Sequence, residues 1–405
     1  MPSDSVVNDS SATRDAPDLS VIVVSYNSSE HLERCLRDVL RAAEGIRFEV
    51  IIVDNASCDD SVRTVLEAFG DRPWLTVIRN EKNLGYGKAC NMGADPSSGR
   101  YVLFLNPDVF VGANALGASL AAFSEQSRCG AVTARMFWDD EMEFMASFLK
   151  EVTPMSALIQ HTSLRRFLGR RVFEKFWKAD WDVWASEVPV PVSSAPAGYL
   201  MLPRGVFESL GGFDERFFLY YEDDDLCARI RKAGLDIYVV PDASAVHYCG
   251  QSLKSFDRAG MGRIQRKSLF AFYSKHYPVL GRALSAAIFA EQAAKRAAKA
   301  VLKPFASREA AGGALLVAGD EGVELRWPAE PDAEFYFLEV SLDPCFITKV
   351  GAKTIATRYL LCHNAYRKLP LDVYFWRAVP MKGAEAVGRI EMGRFRRVES
   401  KLENA

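Results

Sequence analysis

The sequence predicts an α/β protein. A mostly parallel, doubly wound sheet is followed by helices and a small all-β sandwich. Three observations carry this expectation. Apolar β-branched runs alternate with helix-periodic segments between Leu19 and Asp108. A basic, helix-periodic stretch runs from Lys254 to Lys303. After Pro304 the pattern changes to short alternating runs separated by Gly, Asp and Pro. A chain of 405 residues exceeds one ordinary core, so several units are expected. They are a tail over 1–18, an α/β domain over 19–253, a basic helical segment over 254–305 and a β-sandwich over 306–405.

The Ser-, Asp- and Pro-rich opening has neither a basic start nor an apolar h-region, and reads as a flexible tail rather than a signal peptide. LSVIVVSY (Leu19–Tyr26) is a continuous β-branched run, expected of a strand buried on both faces. Asn27, Ser28 and Ser29 are expected to cap the following helix, where Leu32, Cys35, Leu36, Val39 and Leu40 recur at helical spacing. FEVIIVDN (Phe48–Asn55) is a second strand. Asp59, Asp60 and Ser61 open a second helix with Val62, Val65, Leu66 and Phe69 facing inward. LTVIRN and YVLFLNPD supply a third and a fourth strand. Strands alternating with helices imply right-handed crossovers and parallel pairing.

Thr133–Val192 is less regular, rich in aromatic residues, and carries a basic cluster at Arg165, Arg166, Arg170 and Arg171. It reads either as an insertion covering a site or as a plain helical layer with a solvated basic face. Gly198–Leu202 reads as a buried strand, Arg204–Leu210 as a short helix and Gly211-Gly212 as a turn. GALLVA, VELRWP, EFYFLEVSL, YLLCHN and DVYFWRAVP are the short strands of the last hundred residues.

Composition excludes several classes. A formal net charge of -2 argues against a protein built mainly to bind nucleic acid. The eight cysteines contain no CxxC pair, which suits reduced, buried thiols in a cytoplasmic protein better than a disulfide framework or a zinc site. The lack of a run of about 18 apolar residues argues against a membrane span.

On such a sheet, ligands sit outside the carboxyl ends of the strands, and polar residues cluster there. Strand one ends in Ser25-Tyr26-Asn27, strand two in Asp54-Asn55-Ala56-Ser57 and strand four in Asn106-Pro107-Asp108; NLGYGKACN follows strand three. A dinucleotide fingerprint needs GxGxxG after strand one, where this chain has SYNSSEH, and the Walker phosphate loop is also absent. Further on, Glu222, Asp223, Asp224 and Asp225 follow an aromatic run, and His247, one of five histidines, stands in HYCGQS. Helix-capping acids favoured by the dipole are the plain reading for Asp224 and Asp225. His31, His161, His276 and His363 read as packed or surface residues.

VIVVSYNSSEHLERCL, EVIIVDNASCDDS, NLGYGKACNMGA, YVLFLNPDV, AGYLMLPRGVFESLGGFDERFFLYYEDDDLCARIRKAG and VVPDASAVHYCGQS, in this order, resemble the family 2 glycosyltransferases of GT-A fold, especially their bacterial rhamnosyltransferase-like branch. The resemblance spans more than half of the chain. It implies a nucleotide-diphospho-sugar transferase fold, inversion at the transferred sugar and a divalent cofactor, magnesium or manganese. It also implies roles. Tyr26 and Asp54 meet the nucleotide base, Gly85, Asn91 and Asn106 line the nucleotide pocket, and Asp108 with His247 holds the metal. Asp223 is the general base, and Gly198, Tyr199 and Glu222 border the acceptor. Asn106 replaces the first acid of the family's DxD-like phrase. Like charges around Asp223 are expected to raise its proton affinity. RWPAEPDAEFYFLEVSLDPCF and YFWRAVP resemble fibronectin type III-like domains.

The expected partners are a nucleotide-sugar donor, dTDP-rhamnose or a UDP-sugar, and a glycan or lipid-linked acceptor in bacterial surface polysaccharide synthesis. The basic helical segment adds peripheral association with the inner face of the cell membrane, against the alternative of packing on the catalytic domain. Two other readings compete. A catalytically inactive glycan-binding scaffold would not need Asp54, Asp108, Asp223 and His247 all intact. A nucleotidyltransferase would carry a glycine-rich basic loop after strand one, which SYNSSEH is not.

Overall fold

A computed structural model describes residues 16–70, 72–147, 152–162, 180–248, 258–302, 315–318, 322–341, 349–361, 373–383 and 385–397. The basic cluster Arg165–Arg171 and the phrase 249–252 lie outside the described residues.

The expected parallel sheet is present. Strands β1 (Leu19–Ser25), β2 (Phe48–Asp54), β3 (Leu75–Arg79) and β4 (Tyr101–Leu105) lie in the order β3-β2-β1-β4, all parallel. Every residue of β1 is buried, because neighbouring side chains of its β-branched run enter opposite layers. Val21 and Val23 pack with Leu36 and Val39 of helix α1 (Leu32–Ala42) and Val65 of α2 (Ser61–Phe69). Ile22 and Val24 face the other way, toward Cys90 of α3 (Tyr86–Ala94), Phe104 and Phe213. Phe104 has Phe207 and Phe213 at ring-centroid distances of 4.9 and 4.8 Å, so truncating it to Ala costs about 3–5 kcal/mol.

Of the second half of the sheet, the sequence pattern predicts only the strand at Gly198–Leu202, present as Tyr199–Pro203. After β5 (Val109–Val111) and α4 (Ala115–Glu125) come β6 (Cys129–Phe137) and β7 (Met145–Ala146), then α5 (Pro154–His161) and β8 (Val190–Val192). Next are β9 (Tyr199–Pro203), α6 (Arg204–Ser209), α7 (Glu222–Lys232) and β10 (Asp236–His247). β9 runs antiparallel between β4 and β6, and β10 is parallel to β6. The far end of β10 pairs antiparallel with β5, setting His247 opposite Val109. That register puts His247 beside the residue that follows Asp108.

Asn27, Ser28 and Ser29 do not cap α1, which begins without a side-chain cap. Their polar groups join the β1–α1 and β2–α2 loops instead. Asn27 N donates to Ser57 Oγ at 2.9 Å, Cys58 N to Asn27 Oδ1 at 2.8 Å and Ser28 N to Ser61 Oγ at 2.8 Å. A contact between loops that are distant in sequence has taken the Asn27 oxygen that local propensity assigns to the helix.

Past β10, helices α8 (Arg258–His276) and α9 (Leu280–Leu302) form an antiparallel pair that packs on the α/β unit. Leu269, Phe272, Tyr273, Leu284 and Ile288 share a core with Phe217 and Ala157. Leu284 and Ile288, part of the apolar stripe on which a membrane-lying helix would depend, are thus buried against protein.

The C-terminal strands are β11 (Leu315–Ala318), β12 (Val323–Arg326), β13 (Phe335–Ser341), β14 (Lys349–Thr354), β15 (Arg358–Leu361), β16 (Val373–Lys382), β17 (Glu385–Ala386) and β18 (Glu391–Arg397). They form two layers, with β12–β15 separate from the rest. The larger layer is not free-standing: β14 pairs with β7, which pairs with β6, so it continues the α/β sheet. Trp181 and Trp184 of the aromatic insertion belong to this junction. Trp184 stacks on Phe337 at 4.4 Å and Trp181 on Phe335 at 5.2 Å. These tryptophans therefore fasten the C-terminal layer rather than cover a site.

Candidate active site

The end of β2 and the turn before α3 form one polar unit. Asp54 is buried and accepts from Ser57 N at 3.1 Å; Tyr26, one residue past β1, is half-buried beside it. Asn55, absent from the expected site, organises this end. Its carboxamide bonds to Asn80, Asn83, Leu84 N and Gly85 O at 2.9–3.2 Å. Only the folded turn brings those partners to it, so no local pattern marks it. Gly85 has φ +88, and a Cβ there would lie 2.4 Å from Phe218 O. Tyr86 N donates to that same oxygen at 2.9 Å, docking the turn against the aromatic run that precedes α7.

The acidic run separates by burial. Glu222, Asp224 and Asp225 are 5%, 6% and 0% exposed, and only Asp223 is half-open. Asp224 accepts from Ser194 Oγ at 2.7 Å. Asp225 lies 2.8 Å from Arg229, 2.6 Å from Lys275 and 2.7 Å from His276. Both stand in the first turn of α7, but neither caps it: tertiary partners hold their carboxylates. Of the acids around Asp223, Asp225 is thus neutralised by cationic partners. Tyr220 and Tyr221, immediately before α7, both have φ +68, a conformation costing roughly 1–3 kcal/mol per residue.

A strap over residues 194–198 connects this turn to the end of β4. Ala195 exchanges contacts with Cys227 Sγ, Ala197 N donates to Asp223 Oδ2 at 3.4 Å, and Asn106 N donates to Gly198 O at 3.0 Å. Tyr86 Oη donates to Ala197 O at 2.7 Å, so Tyr86 and Asp223 grip the same residue. Tyr86 was not foreseen, since it reads simply as the first residue of a helix. A Cβ on Gly198 would lie 3.4 Å from Asn106 Nδ2 and 3.5 Å from His247 Cε1. Any larger side chain would fill the space between them.

His247 Nε2 lies 3.5 Å from Asp108 Oδ1, which is buried with no hydrogen-bond donor among the described residues. Burial pushes the Asp108 carboxyl up, but the His247 imidazole and then His31 outweigh it, leaving the pKa below the usual value. His31 is buried near Phe110 and Tyr248, and so contributes more to the site than a surface histidine would. Among the described residues no cluster of three or more His, Cys, Asp or Glu could hold a metal alone. Asp108 and His247 nonetheless fit a two-donor site of the kind that substrate phosphates complete, with an undonated buried oxygen and an imidazole.

Three residues of the expected site have their side chains engaged inside the protein. Tyr199 is fully buried with its hydroxyl bonded to Ser119 Oγ at 2.9 Å and Ala115 O at 3.1 Å, so it supports α4 and meets no acceptor. Both ends of the Asn91 carboxamide bond to the Phe213 backbone, at 2.9 and 2.8 Å, shaping the Gly211-Gly212 turn instead of lining a nucleotide pocket. Glu222 is buried beside Gly87 of α3.

The ion pairs around α7 set an acid limit on stability. Asp214, through Arg216 and then Lys275, and Asp225, through His276 and then Lys275 against its burial, are held below the usual carboxylate value. Folded values below the unfolded value of about 3.9 mean that the unfolded chain binds more protons in acid. Their contribution is present above about pH 4 and is lost as pH falls through the folded values. The melting midpoint should fall steeply as pH drops below about 4, and less steeply in Lys275→Met; equal slopes would refute this assignment.

The sheet order, the polar strand ends and the strap define an α/β fold with its candidate site at the carboxyl ends of the parallel strands. Residues 20–178 match the glycosyl transferase family 2 profile, and residues 183–249 match the profile described as the N-terminal domain of galactosyltransferase. The chain is 30% identical over 277 residues to the N-acetylglucosaminyl-diphospho-decaprenol L-rhamnosyltransferase of Mycobacterium tuberculosis, across 64% of this chain and 85% of that protein. It is 23% identical over 265 residues to the rhamnosyltransferase WbbL of Escherichia coli (strain K12), across 63% of this chain and 92% of that protein. The mannosyltransferase PcManGT from Pyrobaculum calidifontis, solved with GDP-Man and Mn2+, overlaps 72% of this chain and 81% of its own at 19% identity and a TM-score of 0.43. The chain belongs to glycosyl transferase family 2.

Proposed function

We propose that this glycosyltransferase moves a sugar, with inversion, from a nucleotide-diphospho-sugar to a lipid-linked glycan in surface polysaccharide synthesis. The observation that carries the reading is the strap 194–198, which ties the half-open Asp223 to the Asp108–His247 pair. The names of the rhamnosyltransferase relatives favour dTDP-rhamnose as donor, with a UDP-sugar second.

In this reading Asp54 and Tyr26 hold the base, and Asn106 borders the diphosphate. Asp223 accepts the acceptor hydroxyl's proton as its oxygen bonds to the anomeric carbon. The carbon–oxygen bond to the diphosphate breaks in the same in-line step, and its electron pair leaves on the nucleoside diphosphate. When bound, magnesium or manganese at Asp108 and His247 supplies Lewis-acid stabilisation of that charge. The sheet ends and the strap align the two partners.

A thermal-shift panel of nucleotide-sugars with and without manganese tests this. A true donor stabilises the fold by mass action, about 2.7 kcal/mol at a hundredfold excess over Kd. No shift with any nucleotide-sugar would sink the proposal.

No helix among the described residues is long and apolar enough to cross a membrane. Reaching a lipid-linked acceptor would fall to the surface of α8 and α9. There Arg266, Lys267, Phe270, Phe289 and Ala293 line a groove of about 410 Å³, and Val279 and Leu280 are exposed. Sedimentation with anionic vesicles should carry the full chain down, and a chain left in the supernatant would count against this contact.

A further inference from the structure

We propose that helix α8, outside the strands and loops that form the site, is the positioning element of the transfer reaction. On this proposal Ser268, Lys275 and His276 hold the Leu219–Asp225 segment in the one conformation that aims Asp223 at its substrate. The proposal rests on the reading of Asp223 as base.

Three kinds of contact carry it. Ser268 Oγ donates to Leu219 O at 2.8 Å, fixing the chain just before the two left-handed tyrosines. The Tyr221 ring lies 5.5 Å from Phe272 and 6.4 Å from Tyr273, packing the second of them on α8. Lys275 and His276 then reach Asp225 at 2.6 and 2.7 Å. Asp225 stands two residues from Asp223 on the opposite side of the helix turn. Lys275 also pairs with Asp214 at 2.7 Å, binding the chain ahead of the aromatic run. Lys232 Nζ lies 3.0 Å from His276 Nδ1. An ammonium can only donate, so Nδ1 accepts and Nε2–H points at Asp225.

This arrangement bears on catalysis as well as stability. Two successive non-glycine residues at φ +68 persist only where surrounding contacts over-determine them. Contacts from α8 stand on either side of those residues, and Tyr86 N keeps Phe218 O docked on the nucleotide-end turn just ahead of them. Releasing the α8 contacts lets the segment relax, which moves Asp223 off the in-line geometry while the nucleotide end, built on Asp54 and Asn55, stays in place. The expected signature is therefore a fall in kcat without a matching change in donor KM.

The full chain with manganese and dTDP-rhamnose or UDP-glucose, whichever raises the melting midpoint, provides the assay, read as nucleoside diphosphate release. Lys275→Met and His276→Ala should lower kcat at least tenfold with donor KM within twofold. His276→Gln, which retains an N–H donor, should recover most of it. Ser268→Ala, the mildest change, should lower kcat about threefold. Hydrogen–deuterium exchange needs no substrate and covers variants that turn over too slowly. Amides of residues 217–225 should exchange faster in Ser268→Ala and Lys275→Met, with β1 unchanged. Unchanged exchange in that segment overturns the proposal, as does faster exchange with kcat within twofold of wild type. Asp223→Asn in the same assay separates the two readings. Wild-type turnover there would remove the base assignment and leave the exchange result to judge the clamp.

Discussion

Asp223→Asn is expected to lower turnover by roughly two to four powers of ten while leaving nucleotide affinity within about threefold. The amide has the shape of the carboxylate and its one oxygen can still accept from Asp224 N, the shorter bond at 2.8 Å, while the longer bond from Ala197 N at 3.4 Å, made to the other oxygen, is given up. It cannot take a proton. The nucleotide end of the site, at Asp54 and the Asn55-centred turn, lies on other strands and should be untouched. Asp224→Asn is the matched control. Its carboxylate is buried on Ser194, and the amide can keep that bond, so turnover should stay within about threefold. Steady-state kinetics and calorimetric titration with dTDP or UDP distinguish the two variants. Full turnover in Asp223→Asn would refute the assignment.

Asp108→Asn should abolish the manganese-dependent part of the donor-induced thermal shift and lower turnover about a thousandfold. The factor corresponds to a few kcal/mol of lost charge stabilisation on the leaving diphosphate. The Asp108 carboxyl is 3% exposed, and the nearby His247 favours its charged form. A buried carboxylate kept ionised, with one oxygen lacking a donor, is a poor arrangement for stability alone and a good one for a cation. His247→Asn removes the second donor and should weaken manganese by a smaller factor. Metal titration followed by melting midpoint reads both variants. An Asp108→Asn protein with a wild-type response to manganese would move the metal site elsewhere.

The fold's first half was readable because its strands are buried on both faces. VIVV and VIIV leave no alternative to a two-sided sheet, and the amphipathic segments between them supply the covering layer. β6 and β10 were not readable in the same way. Their residues mix Thr, Arg, Asp and Ser with apolar ones, and their place is set by mutual pairing across a hundred residues of chain. The C-terminal strands were visible as strands, but their continuity with the α/β sheet depends on a two-residue strand, Met145-Ala146, that has no signature of its own.

The site divides the same way. Asp54, Asp108, Asp223 and His247 could be singled out because they stand in the phrases that carry the family resemblance, and the strand ends on which ligands gather follow from the periodicity. What burial does to each residue could not be read. Tyr199, Asn91 and Glu222 carry the right groups in the right phrases, yet their polar atoms face the core or the backbone of neighbouring turns. Asn55 and Tyr86 stand inside those phrases, and Lys275 and His276 lie beyond them; no local pattern marks any of the four, yet they hold the site's loops and helix in place. Periodicity and composition report which face of an element is apolar, a local property. Which donor meets which acceptor depends on where distant segments come to rest, and only the folded chain, by bringing residues such as Leu219 and Ser268 within 2.8 Å, decides that.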